Sequence, residues 1–222
     1  ATVIPDTERK VDARPGVAGG TYDCVRATEA VTVDGILSEW ANAQPVLASA
    51  NMQSTGDISS VRFGAVVRML HDDEMVYLSA DVTDDAISCD DTDTPDFMNS
   101  DYIRVYLSPV DPDARRRPSL GEDDTIIAIS VFGDEGRPLP RIVNYGQDTG
   151  RTLDLRKCRF AAVKTSTGYR MEMGIPLAGI GVDAAAGKTI GANVMLGDAA
   201  AGRRSGEVCL GYTIPNYWLD PR

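Results

Sequence analysis

Seven aspartates, Asp84, Asp85, Asp90, Asp91, Asp93, Asp96 and Asp101, fall within eighteen consecutive residues. A hard divalent cation suits that chemistry. Ca2+ takes about six to eight oxygen ligands, and carboxylates with backbone carbonyls supply them. The spacing is not that of an EF-hand loop, which closes on a glutamate at its twelfth position. A solvated acidic loop is the plainer account of the same run. Glu122, Asp123 and Asp124 make a second, weaker cluster.

Catalytic constellations are missing from the sequence. His71 is the only histidine, set between charged residues in His71-Asp72-Asp73-Glu74, and no GxSxG, P-loop or HExxH occurs. Carboxylate pairs able to cleave a glycoside are too abundant to single one out. Cys24, Cys89, Cys158 and Cys209 are nowhere spaced as CxxC, so with one histidine a zinc site is not expected. An even, scattered set of cysteines suits two disulfides in an oxidising compartment, with buried thiols as the alternative. Three pairings are open.

Charge narrows the choice of partner. Lys and Arg number 22 against 33 Asp and Glu, a net charge of −11, which argues against nucleic acid. No apolar run approaches the ~18 residues of a membrane span. The start at Ala1-Thr2-Val3 is consistent with a mature secreted end, and a secreted or extracellular location is expected.

The elements that must hold these residues read as strands. Residues 1–23, with Pro5, Pro15, Gly16, Gly19 and Gly20, form an extended arm or linker, and residues 24–222 form the folded domain. Val31, Val33 and Ile36 lead into a turn at Asp34-Gly35. Residues 61–70 and 75–82 pair as a hairpin across the polar turn, the second with Val76, Leu78, Ala80 and Val82 on one face. Further strands are expected at 102–107, 125–132, 140–145, 158–165, 169–175, 189–196 and 207–213, with a short helical turn in 177–186. Many strands with turn signals between them indicate an all-β, antiparallel two-sheet sandwich of jelly-roll type. Trp40 is expected to be a packed anchor, and Pro176 to end its strand.

Several segments together resemble the family 9 carbohydrate-binding modules. They are VTVDGILSEW at 31–40, VRMLHDDEMVYLSADVTDD at 67–85, NSDYIRVYLSP at 99–109, GYRMEMGIPLAGIG at 168–181, GKTIGANVMLGDA at 187–199 and NYWLDP at 216–221. The resemblance runs from about residue 28 to the end. It implies a non-catalytic module that binds a glycan or surface polymer, with a sugar clamped between two tryptophans. One of these falls on Trp218. The other falls on Met98, beside Phe97. The glutamate of the family's "DSVEIF" strand falls on Arg104, and its glutamine, arginine and asparagine fall on Ile126, Ala128 and Ser130. Arg203 or Arg204 is left to supply a basic contact. The site is thus expected to be altered from the family's pattern.

The resemblance also implies structural calcium near the acidic loop, with Asp84, Asp85 and Asp101 the first candidates and Asp91 beside them. The family's "W-DP" segment precedes one more strand, whereas this sequence stops at Arg222. Either the sequence is simply cut at Arg222, or the arm, through Thr2-Val3-Ile4, is expected to cover such a gap in its own sandwich or in a neighbour's. The second case gives self-association through residues 1–23 and a structural, filament-forming role. A related haem-binding sandwich, the DOMON type, is a minor alternative that would use Met98 with His71 or Lys164 as axial ligands.

Overall fold

The computed structural model describes residues 14–15, 22–49, 55–56, 63–89, 99–109, 123–133, 136–142, 153–183 and 187–210. Thirteen strands are described: β1 (Arg14–Pro15), β2 (Val25–Arg26), β3 (Val46–Ser49), β4 (Thr55–Gly56), β5 (Phe63–His71), β6 (Met75–Asp84), β7 (Tyr102–Ser108), β8 (Thr125–Ser130), β9 (Leu139–Ile142), β10 (Arg159–Lys164), β11 (Gly168–Pro176), β12 (Gly191–Ala200) and β13 (Arg203–Cys209). They form two sheets. One runs β1-β3-β5-β6-β11-β10 with β2 also on β5, and the other runs β4-β13-β12-β7-β8-β9. The sandwich expected from the sequence is therefore the fold. No helix among the described residues is long and apolar enough to cross a membrane.

Period-two alternation builds the core between the sheets. Val76, Leu78, Ala80 and Val82 of β6 meet Ile103, Val105 and Leu107 of β7 and Val194 and Leu196 of β12. The expected hairpin forms with its turn locked by one side chain. Asp72 Oδ1 accepts from the amides of Glu74 at 2.8 Å and Met75 at 2.7 Å, and Oδ2 accepts from Tyr77 Oη at 2.7 Å.

The outer face of the first sheet is also covered. Val31, Trp40, Ala43, Leu70, Met75 and Tyr77 make a second apolar cluster there. Its polar anchor is Glu172 on β11. Glu172 Oε2 accepts from the amides of Asp34 at 2.8 Å and Gly35 at 2.6 Å, and Oε1 accepts from Trp40 Nε1 at 2.6 Å. Burial raises the Glu172 carboxyl above its ordinary value despite these three donors. Gly35 is required at this turn. Its φ is +87°, and a Cβ would stand 2.7 Å from Val163 Cγ1. Trp40 is 2% exposed, the packed anchor expected.

Several expectations shift. The 31–36 segment is not a strand, because its backbone donors go to Glu172 rather than to a ladder. The helical turn in 177–186 is a single 3-10 turn at Ala178–Ile180. Strands β3 and β4 were not foreseen.

The two expected disulfides are absent: none of the four cysteines is bridged. Cys24 and Cys158 adjoin β2 and β10 at opposite edges of one sheet, four strand spacings or ~19 Å apart. A disulfide needs Cα atoms within ~7 Å. Cys209 lies on the other sheet, where its Sγ donates to Asn193 Oδ1 at 3.2 Å. Burial pushes the thiols of Cys24 and Cys158 up to about 11.

Candidate functional site

The outer face of the second sheet carries a polar lattice. Strand parity puts Tyr102, Arg104, Tyr106 and Ser108 of β7 on this face, and all four are buried. The cross-strand partner of Tyr102 is Gly197, whose own partner on β13 is Glu207. Without a Cβ at Gly197 the phenol ring lies across that strand; a Cβ there would meet it at 2.1 Å. The Tyr102 hydroxyl thereby reaches two strands over and donates to Glu207 Oε1. Arg204 Nη2 pairs with the other oxygen of Glu207. Burial, then the Glu207 charge, raises the Tyr102 phenol far above its ordinary value, so it acts as a donor at any physiological pH. Arg104 stacks 5.4 Å from the centroid of the Tyr102 ring and donates from Nη1 to Tyr106 Oη at 3.1 Å.

Across from β7, strand β8 offers little chemistry. Ile126 pairs with Tyr106, Ala128 with Arg104 and Ser130 with Tyr102. These residues share the lattice's face, and only Ser130 brings a side-chain polar atom. Of the binding residues expected from the sequence, Arg104 and Arg204 join the lattice and Arg203 is exposed at the start of β13. Trp218, Phe97 and Met98 lie outside the described residues. Tyr102, Tyr106, Asn193 and Glu207 were missed, because only the register of three strands brings them together.

The second locus closes one end of the sandwich. Asp84 continues the core-facing parity of β6, Asp101 that of β7 and Asp198 that of β12. One carboxylate oxygen from each lies within 4.8 Å of the others. Asp101 is fully buried and its Oδ2 accepts from the Ser88 amide at 2.6 Å. Strand β12 runs past its last pair with β7, Gly197 opposite Tyr102, and the Ala199 amide there donates to Asp101 Oδ1 at 3.0 Å. Burial first, and Asp84 second, raise the Asp101 carboxyl far above the usual carboxylate range. Burial likewise raises Asp84. Two unit charges ~4 Å apart repel by about 4 kcal/mol at an effective dielectric constant of ~20.

A cation fits these residues. Asp84 Oδ2 is buried with no hydrogen-bond partner, as is the hydroxyl of Tyr169, whose phenol is held well above its ordinary value by burial first and then by the charges of Asp101, Asp84 and Asp198. The three carboxylates form an all-oxygen donor set, which favours a hard ion. Asp85, one residue beyond Asp84, has the opposite parity and is exposed, so Asp198 rather than Asp85 completes the group. Asp91 lies outside the described residues. His71 ends β5 opposite Val76, beside the polar hairpin turn. Lys164 stands 5.2 Å from the centroid of the Phe132 ring.

Two packed sheets, the second carrying a largely buried polar lattice on its outer face and the first an apolar cluster on its own, define a β-sandwich module. The chain belongs to the carbohydrate family 9 binding domain-like family, whose pattern matches residues 33–222. A family 9 carbohydrate-binding module from Caldicellulosiruptor kristjanssonii in complex with cellotriose shares the fold at TM-score 0.67 and 17% identity. The match covers 89% of this chain and 88% of that one. A module of the same family and organism in complex with glucose gives TM-score 0.61 at 16% identity, over 89% and 90% of the two chains. No curated protein sequence matches this chain.

Proposed function

We propose that this protein is a non-catalytic, extracellular glycan-recognition module whose ligand lies on the outer face of the second sheet, in a site altered from the family's pattern. The buried side chains Tyr102, Arg104, Tyr106 and Glu207, with the exposed Arg204 paired to Glu207, carry the reading. Polar side chains arranged on a sheet face are suited to the hydroxyls of a sugar, and aromatic rings to its apolar C–H face. The alteration lies in Arg104 and in the apolar β8 residues Ile126 and Ala128. Trp218, the tryptophan that the family resemblance assigns to the clamp, supplies the stacking ring. The Asp84, Asp101 and Asp198 group holds Ca2+ as a structural ion rather than as part of the sugar site.

Calorimetric titration with cellotriose, xylotriose, chitotriose and trigalacturonate tests the reading. Binding of one or more is expected, and Trp218→Ala is expected to weaken it at least tenfold. A protein that binds none of them on a broad glycan array as well is not a glycan-recognition module.

A further inference from the structure

We infer that Asn193 reads the ligand on this sheet face, donating from Nδ2 to a sugar hydroxyl. The inference rests on the assignment of the outer face of the second sheet as the glycan site. Asn193 sits on β12 opposite Tyr106 and is 3% exposed. Strand parity turns it to the same face as Tyr102, Arg104 and Tyr106. Its orientation is set from one side. Cys209 Sγ donates to Oδ1 at 3.2 Å, which directs the amide nitrogen away from the thiol. That Nδ2 is buried and has no hydrogen-bond partner.

A buried donor left unmet lowers stability, and folded proteins rarely keep one. Its retention fits a partner that arrives with the ligand. The opposite neighbour of Tyr106 is Ile126, which offers the sugar only apolar contact. The polar contact that the family pattern carries on β8, and that Ile126 lacks, is in this arrangement supplied from β12 across Tyr106. A donor on one side and an aliphatic surface on the other match the two characters of a neutral pyranose, its hydroxyls and its C–H face.

Asn193→Leu tests this, because it keeps the volume and removes the donor. Each variant is titrated with whichever of the four trisaccharides the unaltered protein binds, and its melting temperature is recorded. The expected result is at least tenfold weaker binding with a melting temperature equal to or above that of the unaltered protein. Asn193→Ala should reproduce the loss. Unchanged affinity in both variants means that water satisfies Nδ2, which overturns the assignment of Asn193 alone. Weaker binding accompanied by a lower melting temperature in both means that the amide holds the sheet together, which overturns that assignment equally. An unaltered protein that binds no glycan overturns the reading of the face, and this inference with it.

Discussion

Glu172 shows how a buried charge serves structure when its donors are supplied. Its carboxylate receives two backbone amides and an indole N–H, joining the Asp34-Gly35 turn and Trp40 to the first sheet. Trp40→Phe keeps most of the apolar burial and removes one donor. We predict a loss of about 1–3 kcal/mol, the cost of a buried acceptor left short of a partner. Glu172→Gln should cost a comparable amount. The double variant should cost less than the sum, since both changes break one bond. Strictly additive losses in urea denaturation would dissociate the two residues.

At the scale of elements, the end of the sandwich depends on three strands delivering acids to one point. Asp84, Asp101 and Asp198 occupy positions that alternation reserves for the core, and like charges there oppose folding unless something compensates them. Ca2+ is predicted to raise the melting temperature and a chelator to reverse the gain. An ion at a hundred times its dissociation constant adds about 2.7 kcal/mol when it binds the native state alone. Asp198→Asn should remove most of the response. A melt indifferent to Ca2+ would count against the site.

How much of this was legible follows from the same geometry. The β5–β6 hairpin announces itself through alternation on both sides of a polar turn. So do most long strands, and Asp84 and Asp101 stand out in the acidic run. Asp198 was hidden in Gly197-Asp198-Ala199, almost a hundred residues away, where nothing marks it except continued core parity with Val194 and Leu196. The short strands β3 and β4 lack the length for alternation to register. Val31 and Val33 have strand-like composition, yet Glu172 captures the backbone that follows them. On the lattice face, Arg104 was visible as a departure from the family pattern. Glu207 and Asn193 emerge only from pairing register, which composition does not encode.

For the whole molecule, the question is what ties the described N-terminal residues to the sandwich. Arg14–Pro15 pairs in parallel with Val46 and Leu47 of the same chain. Proline has no amide hydrogen to give this ladder, so the pairing is thin. Tyr22 is a firmer attachment. Its hydroxyl donates to the Gln44 carbonyl at 2.6 Å and accepts from the Met69 amide at 3.0 Å. Deleting residues 1–20 is predicted to cost less than about 1 kcal/mol and to leave the molecular mass in sedimentation unchanged. Deleting 1–24 should cost about 1–3 kcal/mol more, through the lost Tyr22 hydrogen bonds. A change of oligomeric state in the shorter deletion would instead favour exchange of the arm between copies.

The Glu172 anchor also bears on the order of assembly. The bonds to Asp34, Gly35 and Trp40 join positions 138, 137 and 132 residues apart. Closing such long loops costs entropy before any contact repays it. The β5–β6 hairpin needs no long closure and carries its own Asp72 lock, so it can form while the rest of the chain is still searching. The Trp40 indole is therefore predicted to join late, and in a Trp218→Phe background its fluorescence should change after the hairpin has formed.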